Sequence, residues 1–109
     1  MVARSDIQAF ADKIAEEFSP QRIILFGSHA RGEAGPDSDV DILVIMNTRE
    51  RPVEQAIAIR CRIDCDFPLD LLVRTPQDVR RRLKLGDFFL GDVFSEGKVL
   101  YERSSRRVG

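Results

Sequence analysis

The chain has 109 residues, 43% of them hydrophobic and 32% charged, with a formal net charge of −1, which is one domain's worth of ordinary globular protein. No apolar run approaches the ~18 residues that span a bilayer, and the N-terminus lacks a charged-then-apolar leader, so a membrane protein is excluded and a cytoplasmic location is expected. The charge is uneven: residues 1–70 carry eight Lys and Arg against thirteen Asp and Glu, and residues 71–109 carry nine against five. Such a split points either to a local use of charge or to interleaved solvated faces.

Ser5 is a good helix N-cap, and Ile7, Phe10, Ala11, Ile14, Ala15 and Phe18 follow at helical spacing. Ser19-Pro20 ends the segment, because the residue before a proline is pushed out of helical geometry. Arg22 to Phe26 is a short apolar run with β-branched residues and predicts a buried strand. Gly27-Ser28 turns the chain into a short helical stretch, His29 to Gly32, and the Gly35 to Ser38 cluster predicts a turn. A second strand is expected from Asp39 to Met46 and, after a loop, a helix from Val53 to Ile63. Asp66 to Val73 reads as a third strand.

Thr75-Pro76 caps the next helix, which has Val79 and Leu83 on its apolar face and Arg80, Arg81, Arg82 and Lys84 on the other; Gly86 stops it. Residues 87–95 read as a short helix, Lys98 to Tyr101 as a last strand, and residues 104–109 as a flexible basic tail. Alternation of helices and strands predicts an α/β (α+β) chain, with a small mixed β-sheet and helices packed on it, in a single domain over residues 1–103. Cys61 and Cys65 lie four apart on one helical face, which does not suit a disulfide, and no Cys or His cluster joins them for zinc. They read as reduced, buried or half-buried thiols.

Three features carry chemistry. Gly27-Ser28 sits at a strand-to-helix turn, where glycine lets a ligand approach the backbone and the first helical N–H groups offer a phosphate cradle. Asp39 and Asp41 stand two apart at the start of an apolar strand, which puts both carboxylates on one face. Paired carboxylates repel and resist burial, and a hard divalent cation such as magnesium relieves both penalties; the alternative is a solvated strand end. Asp70 interrupts Phe67-Pro68-Leu69-Asp70-Leu71-Leu72-Val73, where an apolar side chain is the norm. Beside Asp39 to Met46, this strand would complete a three-carboxylate cluster suited to two metal ions about 3.5–4 Å apart; otherwise Asp70 is the exposed face of an edge strand.

Gly27-Ser28, ten intervening residues, then Asp39-x-Asp41 resembles the signature of the DNA polymerase β-like nucleotidyltransferase superfamily. The stretch from Leu25 through Gly32, with Ser38 through Val44, is most similar to the minimal nucleotidyltransferases of the MntA type, often paired with a HEPN-domain toxin. The resemblance implies a polymerase β palm-like fold. It implies that Asp39 and Asp41 hold two magnesium ions and that Asp70 ligates the second metal and helps take a proton from the acceptor hydroxyl. Gly27 and Ser28 would bind the nucleotide's phosphates. Arg31 would lie near the triphosphate, or pair with Glu33 on the helix surface. Many relatives carry arginine where this chain has His29, which can still donate to phosphate.

The implied reaction is attack of an acceptor hydroxyl on the α-phosphate of ATP, with transfer of AMP and release of pyrophosphate. The implied partner is a HEPN-family RNase toxin, silenced when a tyrosine near its active site receives AMP. The chain would then be the antitoxin of a two-component system, and the absence of room for an acceptor-binding domain agrees with a borrowed acceptor surface. Two alternatives stand beside this one: neutralisation of the toxin by binding alone, and transfer to a small molecule or RNA. Arg80 to Arg82 with Lys84 could track a phosphate backbone, but with 7% aromatic residues and no Trp, stacking platforms are sparse and direct nucleic-acid binding is not expected. A solvated helix face is the favoured account of that run over RNA binding, and docking against an acidic partner surface is a third use.

Overall fold

The computed structural model describes residues 2–103; the basic tail expected at residues 104–109 lies outside the described residues. Helix α1 (Arg4–Phe18) turns Ile7, Phe10, Ala11 and Ile14 inward at the expected spacing. It begins at Arg4, so Ser5 is not its cap: the carbonyl of Ala3 accepts from the N–H groups of Asp6 and Ile7, closing the first turn sooner. Ser19 ends the helix in the left-handed region at φ 48°, and Pro20 follows.

Strands β1 (Arg22–Phe26) and β2 (Val40–Ile45) pair antiparallel, with Phe26 opposite Asp41. Between them lies the four-residue helix α2 (Ser28–Arg31). Strand β2 starts at Val40, so Asp39 sits just ahead of it, in the connection rather than in the strand. Helix α3 (Pro52–Arg62) then carries the chain across to β3 (Leu69–Arg74), which runs parallel to β2, as a crossover connection requires. Residues 66–68 are not strand, contrary to expectation. Proline at 68 has no N–H to give a ladder, and the segment is fixed instead by the Cys65 thiol donating to the Phe67 carbonyl at 3.3 Å and by Val40 N–H donating to the Pro68 carbonyl at 2.9 Å.

Helices α4 (Pro76–Lys84) and α5 (Phe88–Glu96) follow, and β4 (Lys98–Glu102) returns to pair antiparallel with β1. The sheet order is β3-β2-β1-β4, a mixed sheet with helices on both faces, as the alternation of elements predicts. Gly86, at φ 83°, lies just past the end of α4. Cys61 is exposed, not buried as expected, because its turn of α3 faces outward; Cys65 is half-buried, and both thiols are free.

Strand alternation divides the apolar residues between two layers. Ile23, Leu25, Ile42, Val44, Leu71 and Val73 meet α1 and α3, while Ile24, Leu43 and Ile45 meet Val79 of α4 and Leu90 and Val93 of α5. Asp41, Asp70 and Phe26 belong to the second set by the same alternation. The functional end of the sheet therefore opens on the side of α5.

Candidate active site

Every residue of β2 is buried except Asp41, which is half-buried. Its Cα is paired in register with that of Asp70 on β3, so the parallel strands set the two carboxylates side by side on one face. Burial pushes the Asp41 carboxyl above its ordinary value, and the neighbouring charges of Asp70 and then Asp39 push it further; His29 and Arg31 pull the other way. Asp39 and Asp70 are themselves exposed. The three acids expected from the sequence are thus electrostatic neighbours at the point where β1 ends and β2 and β3 begin.

Gly27 leaves β1 with φ 75° and ψ −156°, a conformation open to glycine, and its α-carbon faces the Asp41 carboxylate with no room for a side chain between them. Its carbonyl accepts from the N–H groups of Ala30 and Arg31, both at 3.1 Å, which closes the single turn of α2. The N–H groups of Ser28 and His29 precede that ladder and have no acceptor within the helix. They follow directly on Gly27, which packs against Asp41, and an anionic oxygen would satisfy them.

His29 can donate to phosphate by its chemistry, but the fold engages it elsewhere. It is buried, and Nε2 lies 3.3 Å from the Ser38 carbonyl; since a carbonyl only accepts, Nε2 carries the proton. The turn before Asp39 is also closed on itself, with Ser38 N–H donating to the Gly35 carbonyl at 3.2 Å and Gly35 N–H donating to Ser38 Oγ at 2.9 Å. The imidazole therefore ties α2 to the residue that precedes Asp39. Arg31 pairs with Glu33 at 3.0 Å and lies 4.0 Å from Glu96 of α5, so its guanidinium is at the site's margin and engaged with carboxylates.

A cavity of about 270 Å³ opens against these groups, lined by Phe26, Gly27, Arg31 and Asp41 on one side and by Phe89, Asp92, Val93 and Glu96 of α5 on the other. The α5 residues were not singled out in the sequence; their spacing of three, four and seven marks one helix face, but only the packing of α5 on β1 aims that face at Asp41. A larger cleft, about 500 Å³, lies between α1 and residues 64–68 and contains none of the three acids. Chemistry, rather than size, selects the smaller one.

Among the described residues, no three Asp, Glu, His or Cys groups are drawn together closely enough to cage a metal ion by themselves. Two or three neighbouring carboxylates, one with its proton affinity raised by the others, nevertheless fit a hard divalent cation that completes its shell with water and substrate phosphate. Such a site can hold a polyphosphate against the α2 turn and expose one phosphorus to an incoming nucleophile.

The nucleotidyltransferase domain family model matches residues 7–103. Among curated proteins, the chain is 35% identical over 69 residues to a bifunctional uridylyltransferase/uridylyl-removing enzyme of Streptomyces coelicolor, covering 61% of this chain and 8% of that protein. It is 50% identical over 40 residues to the protein adenylyltransferase MntA of Thermococcus cleftensis, covering 37% of this chain and 40% of that protein. The matched segments thus span well under two thirds of either relative. Among solved structures, a protein of Sulfolobus solfataricus assigned to the nucleotidyltransferases superposes with a TM-score of 0.64 at 21% identity, over 95% of this chain and 84% of that one. A toxin–antitoxin structure determined with AMP-PNP superposes with a TM-score of 0.58 at 24% identity, over 88% of this chain and 73% of that one. With a family match across nearly the whole described sheet and its acids, the chain belongs to the nucleotidyltransferase domain family.

Proposed function

We propose that this chain is an antitoxin that transfers AMP from ATP to a tyrosine hydroxyl of a HEPN-family RNase toxin. The observation that carries the reading is the register of Asp41 with Asp70 beside the Gly27 turn, which joins a phosphate-binding backbone to an acidic pair. The named activity of the Thermococcus relative and the AMP-PNP of the toxin–antitoxin neighbour support adenylyl transfer and a toxin partner. Leu85 and Phe88, 77% and 90% exposed just before and at the start of α5, give an acceptor protein an apolar foothold near the cavity.

Gly27 and the first amides of α2, with Ser28 Oγ, would bind the phosphates, and Arg31 would swing from Glu33 and Glu96 toward them. Asp39, Asp41 and Asp70 would hold two magnesium ions, which when bound offset charge on the phosphates. Asp70 would accept the proton of the tyrosine hydroxyl as its oxygen bonds to the α-phosphorus; the bond to the bridging oxygen breaks, and pyrophosphate leaves. Positioning and charge neutralisation are the main catalytic terms.

The test is incubation with the toxin, ATP and magnesium, followed by intact-mass measurement. Addition of one or more AMP units to the toxin, lost in Asp39→Ala/Asp41→Ala, is the expected result. An unmodified toxin, neutralised equally well by that double variant, would replace this reading with neutralisation by binding alone.

A further inference from the structure

The cavity against Asp41 has two chemically different walls. Phe26 and Phe89 meet edge-to-face, with ring centroids 5.5 Å apart and planes at 84°, and Phe89 keeps 44% of its surface exposed. Asp92 and Glu96 lie one turn apart farther along the same face of α5. Asp92 makes no ion pair among the described residues, and Glu96 reaches only Arg31, at 4.0 Å. A half-exposed aromatic ring and free carboxylate acceptors would be an odd lining for the polyphosphate, which carries negative charge and no apolar surface. They suit a nucleoside, which offers a flat π-face and a pair of hydroxyl donors.

We propose that α5 supplies the nucleoside subsite of this enzyme: Phe89 packs on the base, and Asp92, with Glu96 behind it, accepts hydrogen bonds from the sugar hydroxyls. The inference rests on the nucleotide-transfer reading and adds to it the residues that grip the donor beyond its phosphates. A cavity of about 270 Å³, open to solvent and bounded by Gly27 at the phosphate turn, is large enough to take a nucleoside. Phe89 is a binding residue here, and its effect should appear in nucleotide affinity and not in phosphate affinity.

Calorimetric titration of the full chain with ATP and, separately, with inorganic tripolyphosphate, both with magnesium, tests this. Phe89→Ala should weaken ATP about tenfold, the loss expected for one base stack, and leave tripolyphosphate unchanged. Phe89→Trp should retain ATP, and Val53→Ala, at an exposed position of α3 outside the cavity, should alter neither ligand. Wild type should prefer ATP to 2′,3′-dideoxy-ATP, and Asp92→Asn should narrow that preference. ATP affinity unchanged in Phe89→Ala overturns the subsite and leaves the transfer reading intact. Parallel loss of ATP and tripolyphosphate in that variant also overturns it, because the wall would then be serving the fold or the phosphate turn. A wild-type chain that binds no ATP overturns both.

Discussion

A β-carbon placed on Gly27 would run into Oδ2 of Asp41 and come within 3.1 Å of its Cγ. The glycine also holds φ 75° and ψ −156°, where other residues pay a backbone cost. Two independent constraints, one of space and one of backbone, thus put glycine between the end of β1 and the acid of β2. Gly27→Ala is expected to lose about 1–3 kcal/mol from the backbone alone. The melting temperature should fall by roughly 4–8 °C for each kcal/mol. Displacement of the Asp41 carboxylate should abolish transfer even at temperatures where the variant is folded. Thermal melts paired with a transfer assay check both; wild-type values in each would contradict this account of the turn.

Asp41 provides a pH test in the metal-free protein. Burial, then Asp70 and Asp39, raise its folded-state affinity for a proton above that of the unfolded chain. Between the ordinary carboxylate value and the raised one, the folded state therefore holds more protons than the unfolded state. Stability is greatest below that window and declines as pH rises through it. Asp41→Asn removes this dependence, so in EDTA the variant should gain on wild type as pH climbs from acid to neutral. On the proposed metal role, magnesium should reverse the advantage, because the cation would favour the fully ionised wild-type cluster over one lacking the Asp41 carboxylate. Melting curves across pH, with EDTA and with magnesium, give the measurement. Wild-type and variant curves that run parallel in EDTA would remove the coupling.

Helix α4 yields a prediction about stability without function. Thr75 caps it, with Oγ1 accepting from Asp78 N–H at 3.1 Å, and the Asp78 carboxylate receives Arg81 at 2.6 Å and Arg82 at 2.9 Å. Desolvation works to raise the Asp78 carboxyl, but the two guanidinium hydrogen bonds outweigh it and hold the group below its usual range. These arginines are therefore committed locally, which favours the solvated-face account of the basic run. Thr75→Ala should cost about 1 kcal/mol, as cap losses typically do. Transfer at a temperature well below the melt should not change. Thermal denaturation and initial rates measure the two; a fall in rate without a fall in stability would give α4 a role beyond packing.

The contrast between Asp70 and Phe89 shows what a single chain discloses. An acid in the middle of an apolar strand is anomalous locally, so Asp70 stood out before any topology was known. Asp41 stood out likewise, and the parallel pairing of β2 and β3 supplies the juxtaposition that the local pattern could not. Phe89 carries no such anomaly, because an aromatic in a short helix is ordinary. Its meaning comes from α5 lying on β1, a contact between distant segments. Pro68 misled for a related reason: the apolar run around it looks extended, yet its missing N–H delays the ladder until Leu69. His29 can donate to phosphate by its chemistry, and no local pattern marks Ser38, nine residues on, as the partner it takes in the fold.

In the fold, His29 is buried and reaches back to the Ser38 carbonyl at 3.3 Å, which makes it a positioning residue for Asp39. The Gly35–Ser38 turn closes on itself, and among the described residues the imidazole is its one hydrogen bond to α2 and so to the Gly27 turn. His29→Ala removes that tie and leaves a carbonyl without its partner, at a cost of about 1 kcal/mol. The functional effect should exceed the stability effect, because Asp39 loses its fixed distance from Gly27. The magnesium concentration for half-maximal transfer should rise, while tripolyphosphate affinity in the absence of metal stays level. Asn at position 29 retains an N–H donor on a shorter arm and should recover part of the metal dependence. Equal metal dependence in wild type and His29→Ala would reduce the histidine to core packing. A parallel loss of anion affinity would assign it to the phosphate site instead.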